Sequence, residues 1–512
     1  MIEEKSEITV RIPPSAAGLC ISDALARMGY TVASPCGGRG TCGKCRVRIC
    51  DGIPTGPDGN KITPDENGTV PACIAICPTE GLSVAIKETT GLETDKTSDK
   101  SCTNYGIALD IGTTTLVAAR VNLPDGEITA TASCLNPQSA YGADVISRIG
   151  AAASGKSDVL HTVIIDAVRG LIGRLCPEEN AECKPPVTVA GNATMLHLFA
   201  GISPVSMGHY PFEPAYSGTL MLNGDGLGLP VGNITLLPSA SAFIGGDVTA
   251  GMLACGLGQS EKPRLLVDIG TNGEIVLDAG SGHSSGNKLI AASAAAGPAL
   301  EGANISCGMG GIDGAVCSVQ KVDNCMVYST VGDAPAAGIC GSGLIDFTAA
   351  LLDSGAVDGS GCLEGGKAVL CAAHRKNASV GDMSAVPEVT LTQKDIREIQ
   401  LAKSAIRAGI EAVLDAAGMT PVSFIIRGGR VLLAGGLGYR MNPASAVRIG
   451  LLPPCFSASV NAAGNTALKG AAVALTDTGE TEKMRKLAGE CRVIELEKSA
   501  VFNDGFIEYM NF

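Results

Sequence analysis

Cys36, Cys42 and Cys45 stand close together in the run Ser-Pro-Cys-Gly-Gly-Arg-Gly-Thr-Cys-Gly-Lys-Cys. A fourth cysteine, Cys73, ends a short apolar stretch in Val-Pro-Ala-Cys-Ile. Three close thiols and one distant thiol form the ligand pattern of a [2Fe–2S] cluster, in which each iron needs two thiolates. Gly37, Gly38, Gly40 and Gly43 suit that chemistry, because such a loop can wrap with positive φ and turn bare amide N–H groups toward the sulfides. A zinc site with four thiolates is the competing reading. Structural zinc usually takes two Cys-x-x-Cys pairs, and Cys73 has no such partner. Cys77 competes with Cys73 for the fourth position. Cys73 is preferred because it directly follows Pro71-Ala72 and ends the apolar approach. Cys50 is read as structural.

The flanking sequence fits a small domain built around this loop. Residues 7–12 alternate as a strand does, and Pro13-Pro14 end it. Ser22 is positioned to cap a short helix from Asp23 to Met28, closed by Gly29. Residues 45–50 and 82–87 alternate again. Strand, helix, cysteine loop, strand, strand is the order of a β-grasp ferredoxin, which gives a [2Fe–2S] ferredoxin-like domain over residues 1–87. Residues 88–103 lose all apolar periodicity and consist largely of Thr, Ser, Asp, Lys and Glu. They predict a flexible linker, which serves either as a plain boundary or as a tether that lets an electron-carrying domain dock in turn with donor and acceptor.

The remainder, residues 104–512, is too long for one ordinary core. Aromatic residues are 3% of the chain and tryptophan is absent, so the core must be Ala, Val, Leu and Ile with glycine turns, as in a tightly wound α/β protein. Twenty cysteines scattered over 512 residues are unlike a secreted disulfide framework. A formal net charge of −13 argues against nucleic acid or an anionic membrane as partner. No apolar run reaches the length of a membrane span, and Met1-Ile-Glu-Glu-Lys lacks a signal-peptide core; a cytoplasmic protein is expected.

Two turns repeat. Residues 105–111 form an apolar strand, Asp110-Ile-Gly-Thr-Thr-Thr turns, and a second strand runs from Leu116 to Val121. Leu265-Leu-Val-Asp-Ile-Gly-Thr-Asn-Gly-Glu-Ile-Val-Leu repeats the device. In such a turn glycines let backbone N–H groups approach phosphate oxygens, threonine hydroxyls donate, and the aspartate can hold a hydrated Mg²⁺. The candidate phosphate-binding residues are therefore Asp110, Gly112, Thr113, Thr114 and Thr115 in the first turn. In the second they are Asp268, Gly270, Thr271, Asn272 and Gly273. Arg430-Val-Leu-Leu-Ala-Gly-Gly-Leu-Gly is a strand ending in a glycine turn, preceded by a helix over about 392–417 with Thr392 as its cap. Its Gly435, Gly436 and Gly438 offer bare backbone to an adenine or ribose. Asp247, in Gly-Gly-Asp at the head of an apolar helix, is the candidate for orienting the attacking water or the magnesium shell; capping the helix is the alternative. Glu301 is a second acidic candidate. His197 lies on an apolar run and reads as a core histidine.

Taken together, the turns at 110–115, 268–274 and 434–438 resemble the phosphate-1, phosphate-2 and adenosine motifs of the acetate-kinase, sugar-kinase, Hsp70 and actin superfamily. Asp247 resembles the catalytic aspartate of some sugar kinases. The cysteine spacing, with five residues between Cys36 and Cys42, is similar to the adrenodoxin type. A ferredoxin head on such a two-lobed ATPase resembles the reductive activators of corrinoid proteins. That resemblance implies a two-lobed actin-like ATPase domain over 104–512, with ATP and Mg²⁺ between the lobes. It implies ATP-dependent reduction of an inactive Co(II) corrinoid to Co(I) on the corrinoid protein of a methyltransferase system. A low-potential electron donor and a possible homodimer follow as further expectations. Larger members carry extra sequence between ferredoxin and ATPase parts, and here that stretch reads as the linker alone. Co(I) is a very strong reductant, whereas a plant-type cluster sits near about −400 mV. The electron must climb, each tenfold shift being about 59 mV, and ATP supplies the climb by closing the lobes. Rival readings are an activator of another low-potential enzyme, a small-molecule kinase with a redox-sensing appendage, and a redox sensor that uses nucleotide only as a shape switch.

Overall fold

The computed structural model describes residues 7–28, 32, 45–65, 67–87, 104–176, 184–282, 288–322, 325–370, 388–438 and 441–512. The chain divides into two compact units, Met1–Leu236 and Leu237–Phe512.

The first unit holds two separate sheets, each with its own core. The N-terminal sheet contains β1 (Glu7–Ile12), β2 (Arg46–Asp51), β3 (Thr69–Pro71) and β4 (Leu82–Lys87) in the order β1-β4-β2-β3, every pair antiparallel. Helix α1 (Ile21–Arg27) supplies Ile21, Ala24 and Leu25 to a core with Val10, Ile12, Val47, Val70 and Val84. The helix starts at Ile21, not at Asp23. The Ser22 N–H donates to the Ala72 carbonyl, and its hydroxyl meets Cys20 Sγ at 3.2 Å, so Ser22 lies inside the first turn rather than capping it. The second strand likewise begins one residue later than expected. Gly29 and the expected linker at 88–103 lie outside the described residues.

The larger sheet of this unit has β5 (Tyr105–Ile111), β6 (Thr115–Asn122), β7 (Ile128–Leu135), β8 (Val187–Gly191), β9 (Leu220–Asn223) and β10 (Asn233–Leu236), in the order β7-β6-β5-β8-β10-β9. β5, β6 and β7 form an antiparallel meander, while β8 runs parallel to β5 and to β10. β8 is buried on both faces, as a near-continuous apolar run requires of a central parallel strand. Helix α2 (Val145–Ala151) precedes α3 (Ser157–Leu175), which lays Leu160, Ile164, Val168, Leu171 and Leu175 into this core. Helix α4 (Ala193–Phe199) follows β8 directly.

The second unit opens with α5 (Gly246–Ala254) and repeats the plan. β11 (Arg264–Ile269), β12 (Gly273–Asp278) and β13 (Leu289–Ala294) make an antiparallel meander. Smaller sheets are built from β14 (Ala315–Val322), β15 (Cys325–Thr330) and β16 (Gly338–Ile339), and from β17 (Lys367–Leu370) and β18 (Val389–Thr392); α6 (Gly341–Ser354) lies between them in the chain. Helix α7 (Gln393–Asp415) is capped as expected: the Thr392 hydroxyl and the Asp395 carboxylate exchange bonds with each other's backbone N–H. After α8 (Pro421–Ile426), β19 (Arg430–Ala434) and β20 (Val460–Gly464) run parallel to β11, with α9 (Gly435–Gly438) and α10 (Pro443–Arg448) between them. The sheet closes with β21 (Arg492–Val493) on β13. The meander with a parallel strand beside its first member thus occurs once per unit, as β7-β6-β5-β8 and as β13-β12-β11-β19. The repeated Asp-Ile-Gly-Thr turn sits at the same place in both.

Candidate functional site

In the first unit the turn between β5 and β6 carries the candidate residues. Asp110, half-buried, is the last polar residue of β5 and pairs with Val117 and Ala190. The Gly112 N–H donates to the Thr115 carbonyl at 3.1 Å, and a Cβ on Gly112 would lie 2.6 Å from that oxygen, so the turn closes only around a bare α-carbon. Three further residues hold it. Asn136 donates from Nδ2 to the Gly112 carbonyl at 2.8 Å and from its backbone N–H to the Thr114 carbonyl at 2.8 Å. Arg148, fully buried on α2, donates to the Thr113 carbonyl at 2.5 Å. Asn192, the cap of α4, donates from Nδ2 to Thr113 Oγ1 at 3.1 Å. Because that hydroxyl accepts, its own proton is left to donate.

In the second unit Asp268, the last polar residue of β11, lies beside Glu274 of β12, and Glu274 lies beside Ser293 of β13. These three side chains share one face. Ser293 Oγ donates to Glu274 Oε1 at 3.2 Å. The same face carries Leu266, Val276 and Ala291, which pack with Val248 and Met252 of α5. Asp247, in the first turn of α5, therefore approaches the acidic row at the end of this apolar layer. Burial pushes its carboxyl up to about 6. Burial, then the charges of Asp247 and Asp268, pushes the Glu274 carboxyl well above the usual range. Among the described residues no three such side chains converge closely enough to ligate an ion directly.

The turn itself is braced by Glu301, whose Oε2 accepts from Thr271 Oγ1 at 2.6 Å, while the Gly270 N–H donates to the Asn272 carbonyl at 2.9 Å. Gly273 starts β12 and is buried against α7, where a Cβ would meet Ile406 at 2.8 Å. Its small size thus serves helix packing. Gly435 has φ +84°, and a Cβ there would lie 2.6 Å from Asp268 Oδ1. The glycine turn and Asp268 are therefore neighbours. Gly436 faces open space, and Gly438 closes α9.

Of the four candidate iron ligands, Cys36 and Cys42 lie outside the described residues. Cys45 and Cys73 are brought together. The Ala72 N–H donates to the Cys45 carbonyl, and the two buried sulfurs are 3.2 Å apart. Cys77 belongs elsewhere. It packs in the core of the small sheet, and burial, then the neighbouring Cys20, pushes its thiol up to about 11. Cys50 is exposed. His197 is buried, stacks on Tyr216 with ring centroids 4.5 Å apart, accepts at Nε2 from the Ala215 N–H, and so carries its proton on Nδ1 toward the Ala193 carbonyl.

Sequence reasoning missed Asn136, Arg148 and Glu274. Glu274 had a local signal, an acid directly after the turn's Gly273 at the head of a mostly apolar strand. Arg148 had none, because it reaches the turn only through the tertiary fold.

Comparison with known proteins agrees with this arrangement. Residues 262–512 match the family model described as the C-terminal domain of RACo, the ASKHA domain, and residues 105–260 match the RACo middle region. Both matches fall within residues 104–512. A curated relative is the corrinoid activation enzyme RamQ of Eubacterium limosum, 32% identical over 439 residues, covering 81% of this chain and 70% of the relative. Another is the [Co(II) methylated amine-specific corrinoid protein] reductase of Methanosarcina barkeri, 26% identical over 398 residues, 71% of this chain and 68% of the relative. Among solved structures, a reductive activator for corrinoid, iron–sulfur protein superposes with a TM-score of 0.71 at 27% identity, covering 98% of this chain and 96% of that one.

Proposed function

We infer from this chain's membership of the RACo family that it reductively activates a corrinoid protein, an ATP-dependent reaction in which inactive Co(II) returns to Co(I). The domain reading proposed is a [2Fe–2S] ferredoxin-like head over residues 1–87, a linker over 88–103, and an actin-like ATPase over 104–512. The observation that carries the electron-transfer half is the buried contact of Cys45 with Cys73, which supports Cys73 rather than Cys77 as the partner of the glycine-rich loop. Cys77 packs instead in the core of the small sheet, whereas Cys45 and Cys73 stand together. With Cys36 and Cys42 they would hold a [2Fe–2S] cluster, which supplies single electrons at low potential.

The ATPase half rests on the two hairpin turns and the Gly435 turn. Backbone N–H groups and the Thr113 hydroxyl would receive phosphate oxygens, Asp110 and Asp268 would hold the water shell of Mg²⁺, and Asp247 would orient the attacking water. Glu301 fixes Thr271, and Gly435 lets the adenosine strand approach Asp268. The test separates the halves. The Cys73→Ser variant is expected to lose cluster absorbance and corrinoid reduction while still hydrolysing ATP. Undiminished corrinoid reduction in that variant would overturn the assignment.

A further inference from the structure

The carbonyls of Gly112 and Thr113 are both taken from behind the turn, by Asn136 Nδ2 and by an Arg148 guanidinium nitrogen. A trans peptide sets its C=O and the next N–H in opposite directions. Anchoring these two carbonyls therefore turns the N–H groups of Thr113 and Thr114 away from Arg148, to the outer side of the turn. Successive N–H groups aimed one way make an anion-binding concavity.

Arg148 is an unusual anchor. It is fully buried, and its remaining donors go to the Gly142 carbonyl at 2.9 Å, Gln138 Oε1 at 3.3 Å and Met195 Sδ at 3.0 Å. All these acceptors are neutral. Among the described residues it forms no ion pair. Asp144, which caps its own helix, is the acid that acts on it, from beyond ion-pair distance. Burial pushes the guanidinium down to about 9, so it stays charged at neutral pH. A buried charge without a counter-ion is costly, and Met or Leu would fill the same space without that cost. Its location is the informative fact: the charge sits one peptide group behind the turn.

We propose that Arg148 is a positioning residue for nucleotide phosphate, holding the Thr113 carbonyl from behind and contributing a buried positive charge that a phosphate in front of the turn balances. The hydrogen-bonded guanidinium also polarises the Thr113–Thr114 peptide, which strengthens its N–H as a donor. This rests on reading the 112–115 turn as a phosphate site.

The test compares wild type, Arg148→Met and Arg148→Lys at pH 7, each checked for its cluster spectrum and thermal melt. ATP dissociation constants and the KM and kcat of hydrolysis are measured. Loss of a charged hydrogen bond predicts ATP binding weaker by roughly 10- to 100-fold in R148M, carried in KM more than in kcat. R148K is expected to recover much of it, which a purely space-filling role does not predict. Wild-type affinity in a folded R148M, or an R148K as weak as R148M, overturns the inference. Should R148M fail to fold, wild type carries the test. Its melting temperature is expected to rise with inorganic tripolyphosphate and not with adenosine, and the reverse pattern overturns the inference. A wild type that binds no ATP at all would instead refute the nucleotide reading, and this inference with it.

Discussion

Asp247 is the acid proposed to orient the attacking water, and its buried environment makes its charge costly. Its folded-state carboxyl titrates at about 6, above the usual value of 3.8. The folded protein therefore binds the proton more tightly than the unfolded chain does. Stability falls as pH rises from about 4 to about 6, and the penalty is complete above that range. Asp247→Asn is expected to raise the melting temperature of nucleotide-free protein at pH 7 to 8, by up to about 3 kcal/mol of stability. That advantage should shrink toward pH 4 while ATP hydrolysis is lost. A melt that shifts equally at both pH values would contradict the assignment. At the same scale, Cys77→Ser is expected to keep the cluster absorbance that Cys73→Ser loses, because Cys77 packs with the core rather than with Cys45. The choice between these two cysteines was open to sequence reasoning, since Cys73 alone follows the Pro71-Ala72 approach. The roles of Arg148 and Asn136 were not, because they reach residues 112–114 from positions 22 or more residues away.

The elements most readable from sequence were those with local causes. Thr392 caps α7 as its residue pattern suggested, with Asp395 completing a capping box, and the Asp-Ile-Gly-Thr repeat marks equivalent hairpins. Strand order in the N-terminal sheet, β1-β4-β2-β3, was not legible, because pairing depends on long-range contacts that alternation cannot rank. Two predictions belong here. Thr392→Val removes the cap side of that box and is expected to cost about 1 kcal/mol, seen as a lower melting temperature for the second unit with ATP affinity unchanged. Gly435→Ala places a Cβ 2.6 Å from Asp268 Oδ1 at φ +84°. Strain of about 1–3 kcal/mol is expected to weaken ATP binding about 10- to 100-fold with little effect on cluster absorbance. Wild-type ATP affinity in that variant would remove Gly435 from the adenosine turn.

At the scale of the whole molecule, the proposed function draws on a buried pair of thiols beside the N-terminal sheet for carrying an electron and on a pair of equivalent hairpins, one per unit, for hydrolysing ATP. No helix among the described residues is long and apolar enough to cross a membrane. Neither part alone accounts for the family's reaction: a plant-type potential near about −400 mV leaves Co(I) uphill, and nucleotide hydrolysis by itself moves no electron. The coupling between them is what a spectrum can test directly. Reduced protein is mixed anaerobically with a Co(II) corrinoid protein, with and without Mg-ATP, and the visible spectrum is followed. The Co(I) band is expected to appear only when Mg-ATP is present. A Co(I) band of equal size without nucleotide, or none with nucleotide although the cluster is reduced and the corrinoid partner is intact, would contradict ATP-driven corrinoid reduction by this chain.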